Sequence, residues 1–262
     1  MEKNFFRSLT VFADGEQVTG FYYAHLTGRE ALGLLPFPYT LRILNLSDNG
    51  VGQLYAAKEL TVLRDNSLLA YGRVSAVFRR NVPEGVITEA VFSPGLALWE
   101  APVSLSVEAG VSVSETLRRI LAASGTGIPL LAFPGEDPVR NRGQAFYGRA
   151  AECVNEALSA VSARACLSPA GVRVIPRSGL PVSLYLSDRD LIDVPSFTDG
   201  QMILRTAVTG WPIGEKVSVK WKDGSAEGLV VERRVEADTM NGRWETVLVI
   251  EIQNSELRIQ NE

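Results

Sequence analysis

Two stretches of this chain, Asn4 to Glu108 and Gln201 to Ile259, consist of short apolar and polar alternations cut by Gly, Asn, Asp and Pro clusters. Alternation with a period of two puts successive side chains on opposite faces of a strand, so both stretches must fold as sheet. In the first, Phe5 to Phe12 and Gln17 to His25 flank Asp14-Gly15, a dipeptide suited to the positive φ angles of a tight hairpin turn. Tyr39 to Leu46 carries apolar residues in both phases, which predicts a strand covered on much of both faces. Leu60 to Arg64 and Leu68 to Arg80 flank Asp65-Asn66, and the second run is long enough to bend around a barrel. Pro83-Glu84-Gly85 then turns the chain into Val86 to Phe92. Six or more short antiparallel strands within about 100 residues predict a barrel or sandwich.

At Val111 the period changes. Ser112-Val113-Ser114-Glu115 has the capping-box spacing, Leu117, Ile120 and Leu121 follow at helical intervals, and Gly125 offers a left-handed stop. After a loop rich in Pro and Gly, Pro129 to Gln144, a second helix is predicted from about Arg149 to Ala165. Val172 to Ile175 and Val182 to Leu186 read as strands of the sheet it packs on, and Ser187 as the cap of a short turn at Asp188 to Ile192. The last stretch holds Met202 to Thr209, Lys216 to Lys222, Gly228 to Val235 and Arg243 to Ile252, with hairpin turns at Asp223-Gly224 and Asn241-Gly242. These shifts divide the chain at 1–110, 111–200 and 201–262, a small α+β unit between two sheet units. The last unit is too small to be stable by itself, so it is expected to pack on another domain or chain. No internal repeat is visible in the residues, although both outer thirds suit barrels.

With 262 residues, 46% of them apolar and 21% charged, the chain can bury a sizeable core. A net charge of -4 argues against a nucleic-acid binder that works by phosphate neutralisation. No run of 18 or more apolar residues and no leader-like N-terminus is present, so a protein of a reducing cytoplasm without a membrane span is expected. Cys153 and Cys166 lack metal-site spacing and read as buried thiols.

The residues that could carry chemistry do not converge. His25, the only histidine, lies among the bulky residues of a strand and reads as structural. Asp188, Asp190 and Asp193 could hold a metal or act as general acids, yet acidic residues in a first helical turn already complement its dipole. Gly125-Thr126-Gly127 follows a helix, whereas a phosphate cradle follows a strand. The loop from Pro129 to Gln144 is long enough to serve as a binding or interface element or as plain connection. Trp99, Trp211, Trp221 and Trp244 could stack on sugars but are scattered, which suits packing better. Arginine outnumbers lysine by 21 to 5, a bias suited to contact surfaces. No catalytic residue, cofactor or metal site is assigned, and a scaffold is favoured over an enzyme.

The order of segments resembles a known family. Lys58-Glu59-Leu60-Thr61-Val62, a turn, and Leu68 to Val77 with Gly72-Arg73-Val74 are similar to the first barrel of baseplate hub proteins from contractile phage tails, the family of late control protein D and the N-terminal part of type VI secretion spike proteins. Val111 to Leu121 resembles the element that opens the α+β domain of these hubs. Trp211 to Val219, Arg233 to Asp238 and Arg243 to Thr246 look like their second barrel. The resemblance implies a mainly β fold with an α+β insert, two small antiparallel β-barrels flanking an α+β domain. It also implies a homotrimer whose six similar barrels ring the axis and join the tail tube to the spike. Expected partners are copies of itself, a tail tube or distal tail protein, a separate central spike chain and a tape-measure protein, with no sequence-specific nucleic acid. The expected location is the baseplate of a virion tail, after synthesis in the bacterial host cytoplasm. A receptor- or glycan-binding module and a carboxylate hydrolase are the competing readings of the residues.

Overall fold

The computed structural model describes residues 7–176, 181–210 and 212–252 and the backbone of 258–259. The first third holds β1 (Thr10–Ala13), β2 (Glu16–Val18), β3 (Tyr23–Ala31), β4 (Tyr39–Leu44), helix α1 (Asp48–Ala56), β5 (Glu59–Arg64), β6 (Ser67–Val82) and β7 (Gly85–Ser93). The middle holds α2 (Leu96–Glu100), β8 (Pro102–Val107), α3 (Val113–Ala123), β9 (Gln144–Arg149), α4 (Ala150–Ser159), β10 (Arg164–Ser168) and β11 (Gly171–Ile175). Then follow β12 (Val182–Ser187), β13 (Ser196–Thr198), β14 (Gln201–Ala207), β15 (Lys216–Trp221), β16 (Gly224–Asp238) and β17 (Trp244–Ile252).

Two of the four predicted hairpin turns form at their dipeptides. Asp14 and Gly15 have φ of 49° and 86°, and Asp65 and Asn66 have 47° and 65°, the left-handed pairs that match strand twist. The β15–β16 hairpin turns instead at Lys222-Asp223, because Gly224 already pairs with Trp221, and Asn241-Gly242 lies in a longer connection between Ala237 and Trp244. Helix α1 is not foreseen by the alternation, because Asp48-Asn49-Gly50-Val51-Gly52 reads as loop. It forms because the Ser47 hydroxyl accepts from the amide of Gly50 and because Val51 and Leu54 bury themselves in the first core. Helix α4 stops at Ser159, short of the predicted Ala165, since Arg164 to Ser168 pairs with β11.

The two outer thirds do not form separate sheets. The C-terminal half of β16 pairs antiparallel with β3, from Glu232 opposite Ala31 to Asp238 opposite His25, and this seam joins everything into one sheet. Its main path runs β13-β14-β17-β16-β3-β4-β7-β6-β5-β1-β2 and, among the described residues, no ladder closes it into a barrel. The expected two closed barrels are therefore not what the ladders draw. Strand β12 is also placed otherwise than expected: it pairs parallel with β15, not with β10 and β11. The reason is non-local, since its partner lies some 30 residues further along the chain.

Each side of the seam repeats one strand order. On one side the order is β3-β4-β7-β6-β5-β1, and on the other it is β13-β14-β17-β16-β15-β12. The long strands β6 and β16 both follow a tight hairpin and both carry a bulge, between Val74 and Ala76 and between Val230 and Glu232. Gly72 and Gly228 each lie two residues before their bulge. Thr88 and Thr246 are buried at matching places in β7 and β17. The last strand pair differs, β1 running antiparallel to β5 and β12 parallel to β15.

Three buried clusters follow this plan. One fills the first half of the sheet around Leu41, Leu60 and Phe92, and another fills the second around Leu204, Val219 and Leu248. The third packs α3 and α4 with the β8–β9 and β10–β11 pairs through Leu117, Ile120, Phe146 and Val154.

Candidate assembly surface

The sheet is strongly curled, and one side chain shows it. Arg233 of β16 donates through Nη2 to Glu30 Oε2 at 2.8 Å, to the Tyr39 hydroxyl at 3.1 Å and to the Leu69 carbonyl at 2.8 Å. Along the path β16 and β6 are four strand spacings apart, roughly 19 Å if flat. A guanidinium spans that only because β6 rolls back over the seam. Burial acts to lower the Arg233 pKa, but Tyr39 and Glu30 outweigh it and hold the pKa above its ordinary value. Burial pushes the Tyr39 hydroxyl well up, so it stays neutral and serves as a hydrogen-bonding partner. On the opposite flank Arg64 of β5 donates to the Val208 carbonyl and lies 5.6 Å from the Trp244 ring centroid, tying the β5–β6 hairpin to the far half.

The other face of the sheet carries a belt of paired opposite charges across seven adjacent strands. Arg80 of β6 lies 3.8 Å from Glu89 of β7, which accepts from Arg42 of β4 at 2.7 Å. His25 of β3 stands opposite Arg42 and 4.0 Å from Glu236 of β16. Glu236 and Glu245 of β17 face each other as like charges, and Arg243 lies 3.7 and 3.9 Å from them. Arg205 of β14 then bridges Glu245 at 2.5 Å and Asp193 at 2.7 Å. Each charge has an opposite neighbour, so the face is polar without a net field.

The candidate residues are dispersed over this framework. Asp190 accepts from the amide and hydroxyl of Ser187 at 2.9 and 2.8 Å, Asp188 accepts from the amide of Lys222 at 3.1 Å, and Asp193 binds Arg205. The three carboxylates thus point to three different partners. Cys153 and Cys166 are buried in different cores, and burial pushes the Cys166 thiol up to about 12. Gly125-Thr126-Gly127 ends α3, and part of it borders a cleft of about 270 Å³ that also meets Tyr71, Arg73 and Ser168. The loop from Pro129 to Gln144 is pinned down: Asp137 accepts from the amide and hydroxyl of Ser114 at 2.9 and 2.6 Å, and Arg140 donates to the Ala157 carbonyl at 3.1 Å. The Glu115 carboxylate pairs with Arg119 at 3.1 Å, while the Ser112 hydroxyl caps the helix as expected.

Trp99 lies 4.4 Å beneath the Arg149 guanidinium, Trp221 packs against Phe197 with ring centroids 5.7 Å apart, and Trp211 lies outside the described residues. Sequence reasoning missed the open sheet edges. Ile192, Val194 and Phe197 flank or lie in β13 with exposures of 49, 75 and 40%, and Phe78 of β6 is 55% exposed. The signal is present in Ile192, Val194 and Phe197, apolar residues interspersed with Asp193, Pro195 and Ser196.

No protein-family model matches the sequence, and no curated protein does. Solved structures do match it along nearly its whole length. A tail protein from Neisseria meningitidis MC58 superposes with a TM-score of 0.71 at 11% identity, covering 94% of this chain and 96% of that one. The 43 kDa tail protein of prophage MuSo2 from Shewanella oneidensis gives 0.67 at 11% identity, with 93% and 97% covered. The E. coli c3393 protein, a type VI secretion component described as similar to the T4 tail proteins gp27 and gp5, gives 0.68 at 13% identity, with 94% and 77% covered. The fold of this chain is the fold of these tail and secretion-system proteins. No helix among the described residues is long and apolar enough to cross a membrane.

Proposed function

We propose that the chain is a non-enzymatic structural subunit of a phage tail or phage-derived particle, a baseplate hub of which three copies ring the axis between the tail tube and the spike. The observation that carries this reading is the duplicated strand order joined by the β3–β16 seam, on a fold found in tail proteins. A chain holding two similar units contributes six to a trimer, which lets a three-fold assembly present a six-fold face. Each half is read as a small barrel-like roll. The reach of Arg233 to the Leu69 carbonyl supports this for the first half, and the packing of Phe197 of β13 on Trp221 of β15 supports it for the second. The unit from α2 to β11, residues 96–175, would be the α+β insert held to one side.

Copies of itself, a tail tube or distal tail protein, the spike and a tape-measure protein are the partners of this reading, and the baseplate of a virion tail is its location. A charge-compensated sheet face suits a wall along which other components slide, since it offers no field to hold a polyanion. The test is light scattering of the purified chain together with imaging of the particle that contains it. Three copies at the end of the tail tube are expected. A chain absent from assembled particles would refute the reading.

A further inference from the structure

The seam between β3 and β16 has a counterpart of which only the two halves exist. The bulges of β6 and β16 set one correspondence, Val74 to Val230 and hence Arg79 to Val235 and Arg80 to Glu236. In β16 the stretch Glu232 to Asp238 is paired on one side with β17 and on the other with β3. In β6 the matching stretch, Ala76 to Val82, is paired with β7 alone. Strand β5 leaves it at Arg73, the Lys58 carbonyl accepts from Val74, and among the described residues no backbone hydrogen bond reaches that edge further on. The counterpart of β3 is β13 with the residues before it, and among the described residues this segment too is paired on one side only, with β14.

Both open edges display apolar side chains, Phe78 on one and Ile192, Val194 and Phe197 on the other. Edges of this kind are where another chain pairs.

We propose that the edge Val194 to Thr198 of one copy pairs antiparallel with the edge Phe78 to Val82 of the next, repeating between chains the joint that β3 and β16 make within one. The proposal rests on the assembly reading above and names the surface that performs it. In the seam Gly28 faces Val235 and Thr27 faces Glu236. The same register sets Phe197 of one copy opposite Arg79 of the next, and Ser196 opposite Arg80. Because two different edges meet, the contact is head-to-tail, which builds a ring where the rotation between copies closes, and not a two-fold pair. The place of the buried Arg233 is taken in β6 by Val77, so the joint between copies carries no buried ion pair and its halves stay open in the single folded chain.

Full-length protein carrying Arg79→Cys with Phe197→Cys is oxidised mildly and resolved on non-reducing gels, with Arg80→Cys plus Ser196→Cys as a second in-register pair. Opposed residues of an antiparallel pair have Cα atoms about 4.5–5.5 Å apart, within disulfide range. Each double variant is expected to link copies covalently up to the ring size, while a mixture of the two single variants stops at dimers. An oligomer by light scattering in which neither pair links overturns this joint and leaves the assembly reading standing. A chain that stays monomeric at every concentration overturns both.

Discussion

Gly72 and Gly228 occupy one position in two copies of a single strand plan, each two residues before the bulge of its long strand and each pressed against the neighbouring strand. A Cβ on Gly72 would lie 2.2 Å from the Ser93 carbonyl carbon, and one on Gly228 would lie 2.5 Å from the Glu251 carbonyl oxygen. Backbone atoms on both sides leave no room to give. Alanine at either site is expected to destabilise the fold by about 1–3 kcal/mol. Gly72→Ala should be the worse of the two because Gly72 also has φ of 151°. Urea titration of the two variants measures the difference, and wild-type stability in both would refute the packing argument.

Arg233 is 3% exposed and ties β16 to β3, β4 and β6 at once. Replacement by alanine strands the Glu30 carboxylate in a largely buried site, a change that typically costs about 3–5 kcal/mol. Exchanging both members, Arg233→Met with Glu30→Gln, should recover much of that loss. A single variant as stable as the parent, by denaturant melting, would show that the curl of the sheet does not depend on this contact.

Burial acts to raise the Asp137 pKa, yet the hydrogen bonds from Ser114 and Ser112 and the charge of Arg118 outweigh it and hold it below the usual carboxylate range. Asp238 is lowered in the same way, by the amides of Met240 and Gly242 and the Tyr23 hydroxyl acting against its burial. A depressed folded-state value means that the stabilisation is present above the unfolded pKa of about 3.9 and is lost as pH falls through the lower folded values. Asp137→Asn is therefore expected to reduce stability at pH 7 by about 1 kcal/mol and to flatten the acid limb of the stability curve. Thermal melts from pH 7 to pH 2.5 would read both effects, and an unchanged acid limb would count against this cap.

The Cys166 thiol is held near pKa 12 by its burial, and burial raises Cys153 as well. Neither supplies much thiolate at neutral pH. An aromatic disulfide reagent at pH 8 should find almost no fast-reacting thiol in the native protein and two after unfolding. Rapid native labelling of either cysteine would show that its core opens.

Much of the local structure was legible because its causes lie within a few residues. The Asp14-Gly15 and Asp65-Asn66 turns, the Ser112 cap and the strands they border depend on neighbours in sequence. Helix α1 was not, since two glycines in nine residues hide it until Val51 and Leu54 find a core. The pairing of Val182 to Leu186 is not legible in the sequence because its partner β15 lies far along the chain. The repeat escaped notice because the two halves share a plan more than residues: Arg233 in β16 corresponds to Val77 in β6, and Thr206 in β14 to Ile43 in β4.

Alternation and turn dipeptides were enough to make this chain a mainly β fold with a helical middle, since each depends on side-chain type and short spacing. Which strands neighbour which was decided only in three dimensions. Hydrogen bonding between β3 and β16, some 200 residues apart, has no local signature, and it is this ladder that turns two similar halves into one sheet and shows which edges are still open.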